Sequence, residues 1–101
     1  MIYHKLVRDK IPEIIAASGK TATVQVLSEE DYQKAVDQKL SEELAEYYES
    51  ASLEELADLL EVIYAAAVAR GYTVAELHAL REKKAAQRGG FSKKLLLTEV
   101  K

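Results

Sequence analysis

Eight carboxylates crowd the stretch KLSEELAEYYESASLEELADLLEV between Lys39 and Val62: Glu42, Glu43, Glu46, Glu49, Glu54, Glu55, Asp58 and Glu61, with no Lys or Arg after Lys39. Ionised carboxylates only accept hydrogen bonds, and they hold hard cations through oxygen. On a helix, like charges at i,i+4 cost about 0.2–0.5 kcal/mol per pair, so such crowding works against the helix that carries it. Two pairs share one spacing: Glu43 with Glu46, and Glu55 with Asp58. A lone pair of this kind is an ordinary solvated helix face. Four such groups converging inside a helical protein cannot all stay ionised without a cation. The chain has no cysteine and two isolated histidines, His4 and His78, so the ligand set is oxygen alone. That chemistry selects Mg²⁺, Mn²⁺ or Ca²⁺.

The elements that must position these groups are punctuated clearly. Asp9 is expected to cap a short helix through about Ser18, with Pro12 in its first turn and Gly19 ending it. The β-branched run TATVQV, Thr21 to Val26, reads as a short strand. Ser28 caps a second helix through about Glu49, and ESAS breaks the chain. Ser52 with Glu55 forms a capping box for a third helix to Arg70, with Gly71 following its end. Thr73 with Glu76 repeats the box for a fourth helix, ended by Gly89-Gly90. The segment KKLLLTEV reads as a last strand, giving a two-stranded ribbon of about 21–27 with 94–99. The expected fold is therefore an all-α bundle of about four helices with at most that small ribbon, in one domain spanning residues 1–101.

Helical steps of about 100° per residue place the side chains. Tyr32, Val36, Leu40, Leu44 and Tyr47 form the apolar stripe of the second helix, with Glu43 inside it and Glu46 about 60° to one side. Glu42 lies further round, about 40° from Glu46. On the third helix Glu55 and Asp58 stand at the edge of a broad apolar face. An antiparallel hairpin about ESAS sets 46 opposite 55 and 43 opposite 58. The two acid pairs then meet at matching heights on facing helices, an arrangement from which helical bundles build carboxylate metal sites. Glu55 has a competing duty at the amide of Ser52 in the capping box. Asp58 and Glu61 have solvent exposure as their alternative.

Charge is segregated along the chain. The net charge of −3 resolves into +2 over residues 1–20, −2 over 21–39, −8 over 40–69 and +5 over 70–101. Basic ends folding over an acidic centre suit a metal ion bound to polyphosphate, whereas a nucleic-acid binder would present one dominant basic face. No apolar run approaches the roughly 18 residues of a membrane span. The opening MIYHKLVRDK has no signal-peptide core, so a cytoplasmic location is expected.

With these residues in place, the chain resembles the all-α NTP pyrophosphatase superfamily, the MazG-like and phosphoribosyl-ATP pyrophosphohydrolase-like proteins. It is most similar to a small branch opening with KLVRDKIPEII, here Lys5 to Ile15. The resemblance continues through KLSEELAE (39–46), EELADLLEVIYA (54–65), LREKKAAQRGGF (80–91) and a final KLLL, and so covers nearly the whole chain. It implies Mg²⁺-dependent hydrolysis of a nucleoside triphosphate or similar compound between the α and β phosphates, with Mn²⁺ as a substitute. By the same resemblance Glu43, Glu46, Glu55 and Asp58 are the metal ligands, and Glu42 orients or deprotonates the attacking water. The connection of eight residues between Glu46 and Glu55 is shorter than in many relatives, which points to a more open nucleotide pocket or one completed by another subunit.

Leaving-group charge calls for cations, and Lys5, Arg8, Lys10, Arg81, Lys84 and Arg88 are the candidates for phosphate binding. Arg8 has a structural partnership with an acid as its alternative. Tyr47, Tyr48, Tyr64, Tyr72 and Phe91 sit at spacings that suit a core, with stacking on a base as the second reading. The small, apolar VIYAAAVA (62–69) suits close helix packing and a subunit interface, and the resemblance implies a homo-oligomer, dimer or tetramer. A non-catalytic helical dimerisation or regulatory module that keeps the fold is the competing reading. The choice of nucleotide has no motif in this chain.

Overall fold

The computed structural model describes residues 4–101. It is all-helical, with α1 at Ile11–Ala17, α2 at Glu29–Ser50, α3 at Leu53–Ala69 and α4 at Val74–Arg88, and no strand among the described residues. The helix starts follow local chemistry. Ser28 Oγ accepts from the Asp31 amide at 3.2 Å, Ser52 Oγ from the Glu55 amide at 3.2 Å, and Thr73 Oγ1 from the Glu76 amide at 3.0 Å. Each satisfies one of the donors that a first helical turn leaves without a partner.

Asp9 does not cap α1. Lys10 holds that position in a helical backbone conformation, and the Ile11 amide closes a turn onto the Arg8 carbonyl at 3.1 Å. Asp9 therefore sits within a turn one residue too early to reach the helix amides, one of which Pro12 removes in any case.

The frame of the molecule is the α2–α3 hairpin. Its turn is made at Ala51, whose φ of 50° and ψ of 31° lie in the left-handed region, followed at once by the extended Ser52 cap. At the far end, Gln33 Nε2 donates to the Ala69 carbonyl at 2.9 Å and Arg70 Nη2 donates to Asp37 Oδ2 at 2.7 Å. These bonds join the first turns of α2 to the last turn of α3 and hold the register along the hairpin. Between them the half-buried Tyr32, Leu40 and Tyr47 flank Val36, which is fully buried, and meet the half-buried Leu59, Val62, Ala66 and Ala69.

α4 packs on α3 alone, with Tyr64 and His78 in an edge-on ring contact at 5.3 Å. Among the described residues, α1 packs against no other helix. A second face of α3, Leu53, Leu56, Leu60 and Ile63, is left open to solvent. The total accessible surface is 9149 Å², against about 5,700 Å² for a compact monomer of this mass. The radius of gyration is 17.7 Å, against about 13 Å for a compact domain of this length.

The expected ribbon is not formed. Residues 21–27 and 94–99 both lack regular pairing, and Leu95, Leu96, Leu97 and Val100 are 80–87% exposed. An isolated two-stranded ribbon is marginal in water without a surface to pack on. The segment after α4 finds no such surface in this chain.

Candidate metal centre

Glu43 and Asp58 come from opposite limbs of the hairpin, and their position follows from the stripes that pack it. On α2, Glu43 falls on the line of Tyr32, Val36 and Tyr47 that faces α3; on α3, Glu55 and Asp58 fall on the line of Leu59, Val62 and Ala66 that faces α2. One carboxylate oxygen from each of Glu43, Glu55 and Asp58 lies within 4.8 Å of the other two. Glu43 is only 6% exposed, a burial ordinary for leucine and rare for glutamate. Glu43 Oε2 and Glu55 Oε2 are both shielded from solvent without any hydrogen-bond partner. A buried, unpartnered carboxylate oxygen is costly, and two of them on members of one acidic group fit the donor set of a hard divalent ion.

Glu46 stands just outside this group of three and is exposed as a residue, but its charge acts on Glu55. Burial and the neighbouring Glu46, with smaller contributions from Asp58 and Glu43, push the Glu55 carboxyl above its ordinary value of 4.5.

The competing duty of Glu55 at the third helix cap is not exercised in full. Its amide donates to Ser52 Oγ, but only Glu76 in α4 completes the reciprocal half of a capping box, its carboxylate accepting from the Thr73 amide at 3.3 Å. A Glu55 carboxylate oxygen instead lies within 4.8 Å of oxygens of Glu43 and Asp58.

Two cations relieve the crowding. Arg8 Nη2 donates to Asp58 Oδ1 at 2.7 Å, across fifty positions of sequence. Lys39 Nζ lies 3.3 Å from Glu43 Oε1 and 3.5 Å from Glu42 Oε2, with its side chain only 20% exposed. Lys39 was not among the residues singled out from the sequence. Its signal was present in the i+3 and i+4 spacing to Glu42 and Glu43, the positions where helical side chains meet. Glu42 is half-buried beside the pocket, paired with Lys39.

The other cations are distributed differently. Lys5 and Arg8 line an open cleft of about 1780 Å³ between the N-terminal segment, residues 20–27 and the first half of α2, and the cleft reaches Lys39 and Glu42. Lys10 is the residue preceding α1. Arg81, Lys84 and Arg88 lie exposed on α4; Arg81 pairs with Glu82 at 3.9 Å, and none of the three forms an ion pair with the acidic group. Of the aromatic candidates, Tyr47 and Tyr64 are half-buried in helix contacts, while Tyr48, Tyr72 and Phe91 are 60–98% exposed. No helix among the described residues is long and apolar enough to cross a membrane.

No family model matches the chain, and no solved structure matches it. The chain is similar to an uncharacterized protein of Mycolicibacterium smegmatis, 55% identical over 42 residues, which is 42% of this chain and 43% of that protein. The match thus spans under half the length of that relative.

Proposed function

We propose that the chain is a Mg²⁺-dependent nucleoside triphosphate pyrophosphohydrolase of the all-α, MazG-like kind, cleaving between the α and β phosphates to give a nucleoside monophosphate and pyrophosphate. Removal of unwanted nucleotides from the pool is the role this activity suits. The observation that carries the reading is the convergence of Glu43, Glu55 and Asp58 within 4.8 Å across a helical hairpin, with two shielded oxygens left unpartnered. Glu43, Glu46, Glu55 and Asp58 would hold Mg²⁺, which neutralises phosphate charge and polarises the phosphoryl group when bound.

In this proposal Glu42, at the edge of the pocket and within the adjoining cleft, orients the attacking water and takes its proton. The water oxygen bonds to phosphorus, the bridging P–O bond between the α and β phosphates breaks, and pyrophosphate leaves with the electron pair. Lys39, Arg8 and Lys5 line the cleft where phosphate charge would lie.

A homo-oligomer belongs to the same reading. The surface in excess of a compact monomer, about 3,400 Å² per chain, exceeds the roughly 1,000–2,500 Å² per partner that obligate assemblies cover. The open Leu53, Leu56, Leu60 and Ile63 face supplies an apolar patch for a second copy. The exposed position of Arg81, Lys84 and Arg88, off the acidic group within one chain, favours the second reading of a non-catalytic helical module.

One experiment separates the two. A panel of nucleotides (standard deoxynucleotides, dUTP, oxidised nucleotides and phosphoribosyl-ATP) is scored for pyrophosphate release in Mg²⁺, with Glu46→Gln as control. Release from at least one nucleotide, lost in the variant, is expected. No release from any of them, with no change in melting temperature at millimolar Mg²⁺ or Mn²⁺, returns the chain to the non-catalytic reading.

A further inference from the structure

Arg8 belongs to the segment before α1, and α1 packs against no other helix, so its 2.7 Å ion pair with Asp58 ties the N-terminal region to the hairpin. The same bond engages one of the three acids that converge in the pocket. A guanidinium stays charged at every working pH and cannot leave by deprotonating. A divalent ion approaching Asp58 therefore meets a fixed positive charge already on that carboxylate. Arg8 also lines the cleft that reaches Lys39 and Glu42, so a guanidinium displaced from Asp58 remains beside the path of an anionic ligand. Phosphate offers that planar fork two oxygens at once, a better acceptor than one carboxylate oxygen. With its side chain 57% exposed and that of Asp58 37% exposed, the present pair is held weakly enough to exchange.

We propose that Arg8 is an exchangeable counter-ion of the pocket: it neutralises Asp58 in the metal-free protein, yields that carboxylate to a divalent ion, and then binds the phosphates of the ligand that arrives in the cleft. Arg8 is on this account a positioning residue that couples metal loading to phosphate binding. The inference rests on the metal-centre reading above, since the exchange requires a cation that competes for Asp58.

The coupling has a signature that a merely structural residue lacks, opposite effects on two ligands. Mn²⁺ binding is measured by electron paramagnetic resonance on the full chain, and methylenediphosphonate binding is then measured by calorimetry at saturating Mn²⁺. Arg8→Gln is expected to bind Mn²⁺ about two- to fivefold more tightly, the worth of an exposed ion pair no longer in competition. It is expected to bind methylenediphosphonate at least about tenfold more weakly, the worth of a charge-assisted hydrogen bond. Arg8→Lys keeps the charge without the fork, and should hold Mn²⁺ as the wild type does while still losing diphosphonate affinity.

Circular dichroism melts establish that each variant is folded. Should Arg8→Gln not fold, Arg8→Lys carries the test, and an unchanged diphosphonate affinity in it overturns the proposal. Mn²⁺ binding that is unchanged or weaker in folded Arg8→Gln overturns it as well. A wild type that binds no Mn²⁺ removes the metal-centre reading itself, an outcome distinct from failure of the exchange.

Discussion

The substitution Glu43→Gln tests the pocket most directly, because Glu43 is the buried member of the acidic group. Its carboxylate feels opposing charges. At an effective dielectric of about 20, the ionised Asp58 within 4.8 Å repels it by about 3.5 kcal/mol. Lys39 at 3.3 Å attracts it by about 5 kcal/mol on the same scale. Glutamine removes both terms, and Arg8 already offsets part of the Asp58 repulsion, so the metal-free protein should lose at least about 1.5 kcal/mol, or at least about 7 °C of melting temperature for a chain of this length. The response to metal should change far more. At a free Mn²⁺ concentration of 100 times Kd the wild type gains about 2.7 kcal/mol, a rise of about 13 °C.

Removing a ligand should weaken binding at least as much as removing a supporting outer group does, about 10- to 100-fold, which leaves a rise of about 2–7 °C at the same Mn²⁺ concentration. The assay is a thermal melt with and without Mn²⁺. Glu49→Gln serves as control, being an exposed acid on the same helix outside the group. A full rise retained in Glu43→Gln, or a wild type whose melt ignores Mn²⁺ up to millimolar concentration, would refute the account of why these acids are crowded.

Three further outcomes follow from the same geometry. Because the Glu55 carboxyl titrates above its ordinary 4.5, the folded state binds more protons than the unfolded state between that value and the raised one; metal-free stability should therefore fall as pH rises through this window, and Glu55→Gln should flatten that slope in melts run from pH 4.5 to 8. Ala51 turns the hairpin with a positive φ of 50°, so Ala51→Gly should raise stability by about 0.5–1 kcal/mol as the left-handed turn loses its Cβ penalty, read as an increased urea midpoint, and an unchanged midpoint would count against strain at that turn. Sedimentation should find the wild type heavier than the 11.3 kDa monomer, and Leu60→Glu, placed in the open face of α3, should shift it toward that mass; a wild type sedimenting as a monomer sinks the proposed self-association.

How much of this protein was legible beforehand divides by the range of the interactions involved. By itself the sequence determined the helical character of the chain, the breaks at ESAS and at Gly71, and the caps at Ser28, Ser52 and Thr73, because a cap or an apolar stripe is decided within about four residues. It also set Glu46 opposite Glu55 and Glu43 opposite Asp58, since a short turn and a constant rise leave an antiparallel hairpin little choice of register. Only the tertiary structure decided that Arg8 reaches Asp58 across fifty positions, that the Glu55 carboxylate joins Glu43 and Asp58 rather than completing its capping box, and that Arg81, Lys84 and Arg88 stand clear of the acids within one chain. It likewise left 21–27 and 94–99 unpaired, where β-branched composition alone had suggested a ribbon. Those outcomes depend on where separately formed helices come to rest, which is governed by the contacts available between them rather than by any local pattern of residues.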